Sequence, residues 1–496
     1  MFIRREVRSL GPQDPTLKHY ADAVAEMKRR SDGKSPDEWG PTSWEYQAAI
    51  HGTTLGNPLP TWNRCTHGSW FFVAWHRMFV YCFEEIVRSV VGELHGAEAA
   101  AAWALPYWNY CRGGEYASIP DAFRDPSAEG AENPLYVQQR RNGINGGTPL
   151  LDEWTEDEKA LARPHFVGKA EFGGGEAPPH EQFWSQGGVF EQTPHNTVHV
   201  GVGGRGGWMA NIDEAAKDPI FWLHHANIDR IWAQWLSQPN RKDPAEGNWL
   251  GQDFEFFDAA GQKTSMVCRA VVDTAALGYE YDAVDGIPSG APSEGAGAPA
   301  PAPTPPPSPE GEPVSAAADP PADPSTEEQV PSDPKFVGAT EETLTLTGES
   351  AAIPVEIDER AREEVREASR KDDPRHLYLN IEDVEGEVNP GTVYGIYLDL
   401  PKGADAAVRA QHHIGNVSFF GIEKARAPKG DEHGHSLRLS VEVGELLRSL
   451  GGGERYEGGE LYVTFCPLTL PGEGAGEAAH EEFPVHIGRI SLAIDA

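Results

Sequence analysis

Several things are scarce in this chain. Five cysteines in 496 residues are too few for a disulfide-built scaffold. Basic residues are outnumbered, with 41 Lys and Arg against 77 Asp and Glu and a formal net charge of −36. That balance argues against nucleic acid or an anionic membrane as the main partner, because both need a basic face. No run approaches the roughly 20 apolar residues of a membrane span. The first fifteen residues contain an Arg pair but no apolar stretch behind it, so no signal peptide is expected. The expectation is a soluble protein, cytoplasmic by default, with export by another route as the alternative. One long stretch combines a lack of aromatic residues with abundant proline. Residues 283–335 hold 15 prolines and no Phe, Trp or Tyr. Such a segment cannot build a core and reads as a disordered, semi-extended linker.

The linker divides the chain into two regions of different character. Residues 1–282 are rich in Trp, Phe, Tyr and His. Residues 336–496 carry short β-forming runs between Gly and Pro breaks, such as 376–381 and 461–465, and read as a β-sandwich or barrel-like domain. The first region reads as mainly α. Residues 70–90 contain no Gly or Pro and place Phe72, His76, Phe79 and Phe83 on one helical face. Residues 218–236 begin with Asp218-Pro219, a helix-start signal, and align Phe221, His225, Ile228, Trp232 and Trp235. A short helix is expected over 194–200, stopped by the glycines of 201–207, and another over 43–51. Helices that face one another in this way form a four-helix bundle able to carry a dinuclear site.

The histidines carry the chemistry. His195 and His199 are four apart on one helix, so their imidazoles point the same way. The residues between them are Asn196, Thr197 and Val198, so the Glu of a zinc protease is missing. His225 lies on the aromatic face of 218–236, and the adjacent His224 is expected to turn about 100° away. His51, His67 and His76 form a second trio drawn from a helix end, a loop and a helix. Two three-histidine sets without a carboxylate do not suit Mg or Ca, whereas imidazole suits Cu, Zn, Fe or Ni.

These residues resemble the type-3 copper proteins: tyrosinases, catechol oxidases (polyphenol oxidases) and, more distantly, haemocyanins. The first block runs from His51 to Cys65-Thr66-His67-Gly68-Ser69-Trp70 and on to His76-Arg77. The second runs Glu191-Gln192-Thr193-Pro194-His195-Asn196-Thr197-Val198-His199, then Asp218-Pro219-Ile220-Phe221-Trp222-Leu223-His224-His225. Residues 248–281 look like the segment that closes the catalytic domain of plant-type polyphenol oxidases. Residues 436–450, 461–468 and 485–494 are similar to their C-terminal β domain.

The resemblance implies two copper ions. CuA would be held by His51, His67 and His76, and CuB by His195, His199 and His225. It implies a thioether from Cys65 to His67, and a water held by Glu191 and Asn196 that deprotonates a monophenol. It implies Val200 and Ile212 at the substrate entrance. The implied reaction is oxidation of phenols or o-diphenols to o-quinones with O2. An o-aminophenol oxidase and a haemocyanin-like oxygen-binding protein are the alternatives. The implied partners are small phenols, O2 and a copper-delivery protein. In similar enzymes the C-terminal domain covers the copper entrance, so 336–496 are expected to act as a lid and the chain as a latent zymogen. Asp229 and Arg230 are expected to form an ion pair or to support the ligands. His412-His413 and the His433/His435 pair are expected on solvated loops.

Overall fold

A computed structural model describes residues 1–128, 130–178, 187–284, 334–370, 375–424, 436–450, 459–474 and 480–495. The expected linker, apart from its ends, and the His433/His435 pair lie outside the described residues.

Five helices organise the first region: α1 (Thr16–Ser31), α2 (Trp44–His51), α3 (Phe72–His95), α4 (Thr197–Gly203) and α5 (Ile220–Leu236). The sequence reading found four of them and missed α1. Its signal was there: Tyr20, Ala23, Val24 and Met27 repeat at helical spacing and all four are buried. α3 runs long because no Gly or Pro interrupts it before Gly92. α5 starts where expected: Asp218 accepts the Ile220 N–H at 3.1 Å, satisfying one orphan donor of the first turn. The same carboxylate forms a fully buried pair with Arg140 at 2.6 Å, a partner that the sequence did not suggest. α4 is preceded by a wide turn over Glu191–Asn196, in which Thr193 is non-helical. It ends at Gly204, whose φ of 61° suits glycine. The helices meet through aromatic rings. Phe83 of α3 stacks on Trp222 of α5 with centroids 3.4 Å apart and planes 8° from parallel. Such pairs add about 0.5–1.5 kcal/mol beyond their buried area.

The second region is one nine-stranded antiparallel sheet: β1 (Lys335–Ala339), β2 (Leu344–Leu346), β3 (Ala351–Ile357), β4 (His376–Glu385), β5 (Val393–Leu398), β6 (His413–Val417), β7 (Leu437–Glu442), β8 (Glu460–Leu468) and β9 (Val485–Asp495). The order is β6-β5-β8-β3-β1-β9-β4-β7, with β2 on β9. The two terminal strands, β6 and β7, come close to each other, so the sheet is nearly a barrel. Its core is aliphatic: Ile353, Val355 and Ile357 alternate inward on β3, and every residue of β5 is buried. Among the described residues no helix is long and apolar enough to cross a membrane.

Candidate metal centre

The structure brings all six expected histidines together at the heart of the helical region, each no more than 2% exposed. His51 ends α2 and His76 lies one turn into α3. His67 sits on the loop before α3, where Gly68, at a φ of 64°, turns the chain. His195 and His199 come from the wide turn and α4, and His225 from α5. Ring centroids of His51, His67 and His76 lie 5.1–5.6 Å apart. Those of His195, His199 and His225 lie 4.5–5.4 Å apart. His225 stacks on His76 at 4.5 Å, so the two trios are contiguous.

Four of the rings are held in one tautomer by an oxygen that accepts from Nδ1–H. His51 donates to the Ile212 carbonyl at 3.0 Å and His76 to the Phe72 carbonyl at 2.8 Å. His195 donates to Asn196 Oδ1 at 2.8 Å and His199 to the Met209 carbonyl at 2.8 Å. Each Nε2 lone pair is thereby directed inward, as metal-ligating histidines require. Among the described residues the Nε2 atoms of His51, His76 and His195 have no hydrogen-bond partner. Buried nitrogens without partners are costly unless something binds them. Burial also keeps the rings neutral: it lowers His51 and His199 to about 3. A neutral donor set with inward lone pairs and no carboxylate fits copper.

The surrounding residues tie the supporting helices together. Arg77, next to His76, pairs with Asp229, one turn beyond His225. Asp229 also takes Arg4 at 3.0 Å and the hydroxyls of Tyr279 and Tyr281 at 2.6 and 2.5 Å. Burial alone would raise the Asp229 carboxyl, but Arg77 and Arg4 hold it below its ordinary value. Arg230 does not pair with Asp229; it donates to Asn227 at 2.9 Å and to Gln234 at 3.0 Å. Residues 279–281 lie in parallel with the N-terminal strand Phe2–Arg4, so both ends of the region brace the centre.

Other expected site residues fall as follows. Cys65 is buried, its sulfur within 4.8 Å of ligand atoms of His51 and His67. Burial pushes its thiol up. Glu191 is 3% exposed and accepts the Gly68 N–H with both oxygens, at 2.9 and 3.0 Å. Burial raises it to about 8, and the Gly68 bond offsets only part of that. Glu191 and Asn196 line a partly open cleft of about 610 Å³. Val200 and Ile212 are buried and are not among the residues lining it. What Ile212 supplies is its carbonyl, which orients His51. His224 does not turn away. Its ligand atom lies within 4.8 Å of those of His195, His199 and His225.

The far wall of the cleft comes from the sheet. It is lined by Val417, the last residue of β6, and by Ser418, Phe419 and Phe420 just after it. Phe419 has a φ of 57°, rare for a bulky residue. That turn sends neighbouring rings to opposite sides. Phe419 packs in the sheet core near Tyr394. Phe420 enters the histidine cluster and stacks on His199 with centroids 4.3 Å apart, 5.7 Å from His67 and His195. Nothing in the sequence singled out this residue, because its role depends on a contact more than 200 positions away.

Polar ties surround this contact. Arg141 donates to the Val200 and Gly201 carbonyls on α4, pairs with Glu473 at 3.0 Å and also reaches the Gly391 carbonyl. Lys424 pairs with Asp213 at 2.7 Å. Asn416 donates to the Glu153 carbonyl at 2.7 Å, and Lys159 Nζ meets His413 Nδ1 at 3.1 Å. The His412-His413 pair is therefore not on a solvated loop: His412 is buried and His413 faces the helical region.

Residues 41–164 and 168–238 match the model of the common central domain of tyrosinase. Residues 243–288 match the polyphenol oxidase middle domain, and 333–494 a domain of unknown function. The chain is 29% identical over 528 aligned residues to a tyrosinase of Hahella sp., covering 99% of each. It is 26% identical over 474 residues to a chloroplastic polyphenol oxidase of Malus domestica, covering 87% of this chain and 70% of that one. The fold matches that of latent apple tyrosinase with a TM-score of 0.61 at 22% identity, over 100% of this chain and 97% of that one. The central-domain match, the middle domain behind it and the end-to-end similarity to a tyrosinase agree with the imidazole centre, which lies within the stretch that matches the common central domain of tyrosinase.

Proposed function

We propose that this protein is a copper oxidoreductase that oxidises phenols or o-diphenols to o-quinones with O2, and that it is latent until its C-terminal domain is displaced. The observation that carries the reading is the buried six-imidazole cluster, in which the Nε2 atoms of His51, His76 and His195 have no hydrogen-bond partner among the described residues. His51, His67 and His76 would hold one copper and His195, His199 and His225 the other. A bound copper pair supplies the electron exchange with dioxygen that this oxidation needs.

The chain's own residues do the rest. The carbonyls of Phe72, Met209 and Ile212 and the amide of Asn196 fix the imidazoles in their ligating tautomer. A thioether from Cys65 would hold His67 rigid. Glu191, at the cleft, would take the phenol proton through a held water at its carboxylate oxygens, since a phenol binds metal best as the phenolate. Phe420 occupies the space in which a phenol ring would stack on His199. Residues 1–282 would thus carry the chemistry, 283–335 the tether, and 336–496 the lid. A copper-delivery protein would be the matching partner during loading.

The test is metal analysis of the purified full chain, with oxygen uptake on catechol, tyrosine, tyramine and an aminophenol before and after limited proteolysis. Two copper equivalents and catechol turnover that rises on cleavage are expected. Stoichiometric zinc without oxygen uptake would overturn the oxidase. Turnover only on the aminophenol would shift the substrate class.

A further inference from the structure

The second trio has a fourth imidazole beside it. His224 is fully buried, and its ligand atom lies within 4.8 Å of those of His195, His199 and His225. Its ring centroid is 4.7 Å from that of His199, with the planes 87° apart, and 5.4 Å from that of His195. Independently, neither of its ring nitrogens has a hydrogen-bond partner among the described residues. In this His224 differs from His51, His76, His195 and His199, each of which has one nitrogen bonded to an oxygen. A structural histidine buried among aromatic rings normally satisfies at least one nitrogen. A buried imidazole with both nitrogens open, against three others whose lone pairs converge, matches a ligand that is used some of the time.

We propose that His224 is a metal-holding residue, a spare nitrogen that keeps a late first-row cation such as copper or zinc on the His195/His199 side when His225 lets go. The proposal rests on the reading of these histidines as the metal centre. The physical reason lies in where His225 stands. It is stacked on His76 and its Nε2 is 3.3 Å from that of His199, so it borders both halves of the centre. A ring that borders both trios is the one whose movement would loosen the hold of either. A neighbour on the same helix can take over without any backbone change.

The experiment uses the full chain stripped of metal and reloaded with Zn2+ alone, followed by chelator competition and metal analysis. Wild type is expected to hold two equivalents. His224→Ala and His224→Asn are both expected to release the second equivalent at least about tenfold faster. Release at the wild-type rate from His224→Ala overturns the proposal. So does recovery of that rate in His224→Asn, which would mark His224 as a hydrogen-bonding filler. If thermal melting shows that the metal-free His224 variants are not folded, His225→Ala decides. Retention of close to two equivalents supports a spare ligand, and a drop to one overturns it. Failure of the centre itself looks different: wild type would take up no zinc, or His199→Ala would hold as much as wild type.

Discussion

The two regions of this molecule solve burial in opposite ways. The helical region fills its interior with indole and phenyl rings and places charged and imidazole groups at its centre, each held by an ion pair, a carbonyl or an expected metal. The sheet region fills its interior almost entirely with Val, Ile and Leu and buries few titratable groups. Reactive chemistry needs groups whose desolvation is offset by specific partners, and only the first region supplies them. The aliphatic sheet is a rigid frame that presents one ring, Phe420, to that centre. The candidate chemistry is therefore concentrated where the interior is polar, and the proposed control comes from where it is not.

Breaking the centre should have the largest effect. His199→Ala, or His76→Ala, is expected to lose one copper and to lower catechol oxidation more than about 100-fold, since fewer than three nitrogens remain on that side. Metal analysis with oxygen uptake checks it, and full activity in either variant would remove the assignment. The next largest effect falls on stability. Asp229→Ala strands Arg4 and Arg77, both fully buried, and is expected to cost about 3–5 kcal/mol. Denaturant titration should show the helical transition moving and the sheet transition staying. Movement of both would mean that the two regions unfold as one.

Glu191→Gln sharpens the comparison inside the centre. Monophenol oxidation should fall by about 10²-fold and diphenol oxidation by much less, because diphenols need less help in losing a proton. Equal loss on both at unchanged copper would reduce Glu191 to a support for the Gly68 turn. Phe420→Ala tests the contact between the regions. Activity of the uncut chain should rise about tenfold or more, toward that of residues 1–285 alone. An unchanged uncut enzyme would show that the ring is not what blocks the site.

The smallest effect is a pH slope. Burial beside Lys159 lowers His413 to about 4 from an ordinary 6.5. Tyr397, Asn416 and the Glu153 carboxylate are its other neighbours. The docked form binds fewer protons than the released form, so docking is fully present above pH 6.5 and weakens as pH falls toward 4. The slope is about 1.4 kcal/mol per pH unit. His413→Asn, which cannot take up the proton, should show shallower acid activation across that window. An identical acid profile would place the switch elsewhere.

Much of this protein is legible along the chain. The helices of 44–51, 72–95 and 220–236 follow from uninterrupted periodicity and helix-start signals, which act within a few residues. The six histidines were legible because ligand chemistry fixes residue type and local spacing. The change from aromatic to aliphatic, proline-punctuated sequence marked the two regions. Other features depend on partners distant in sequence, and only the tertiary structure decided them. His224 was expected to turn away by helical rotation, yet rings from three other segments close around it. Ile212 was expected to act through its side chain, yet its carbonyl orients His51. Asp229 was expected to form an ion pair with Arg230 or to support the ligands, and its charged partners are Arg4 and Arg77 rather than its neighbour. Phe420 had no local signal at all, because it meets His199 only when a sheet built from 334–495 packs on a centre built from 51–225. Local periodicity and ligand spacing act over a few residues and can be read in order. Packing and charge pairing act through space, and the sequence does not state which distant residues will meet.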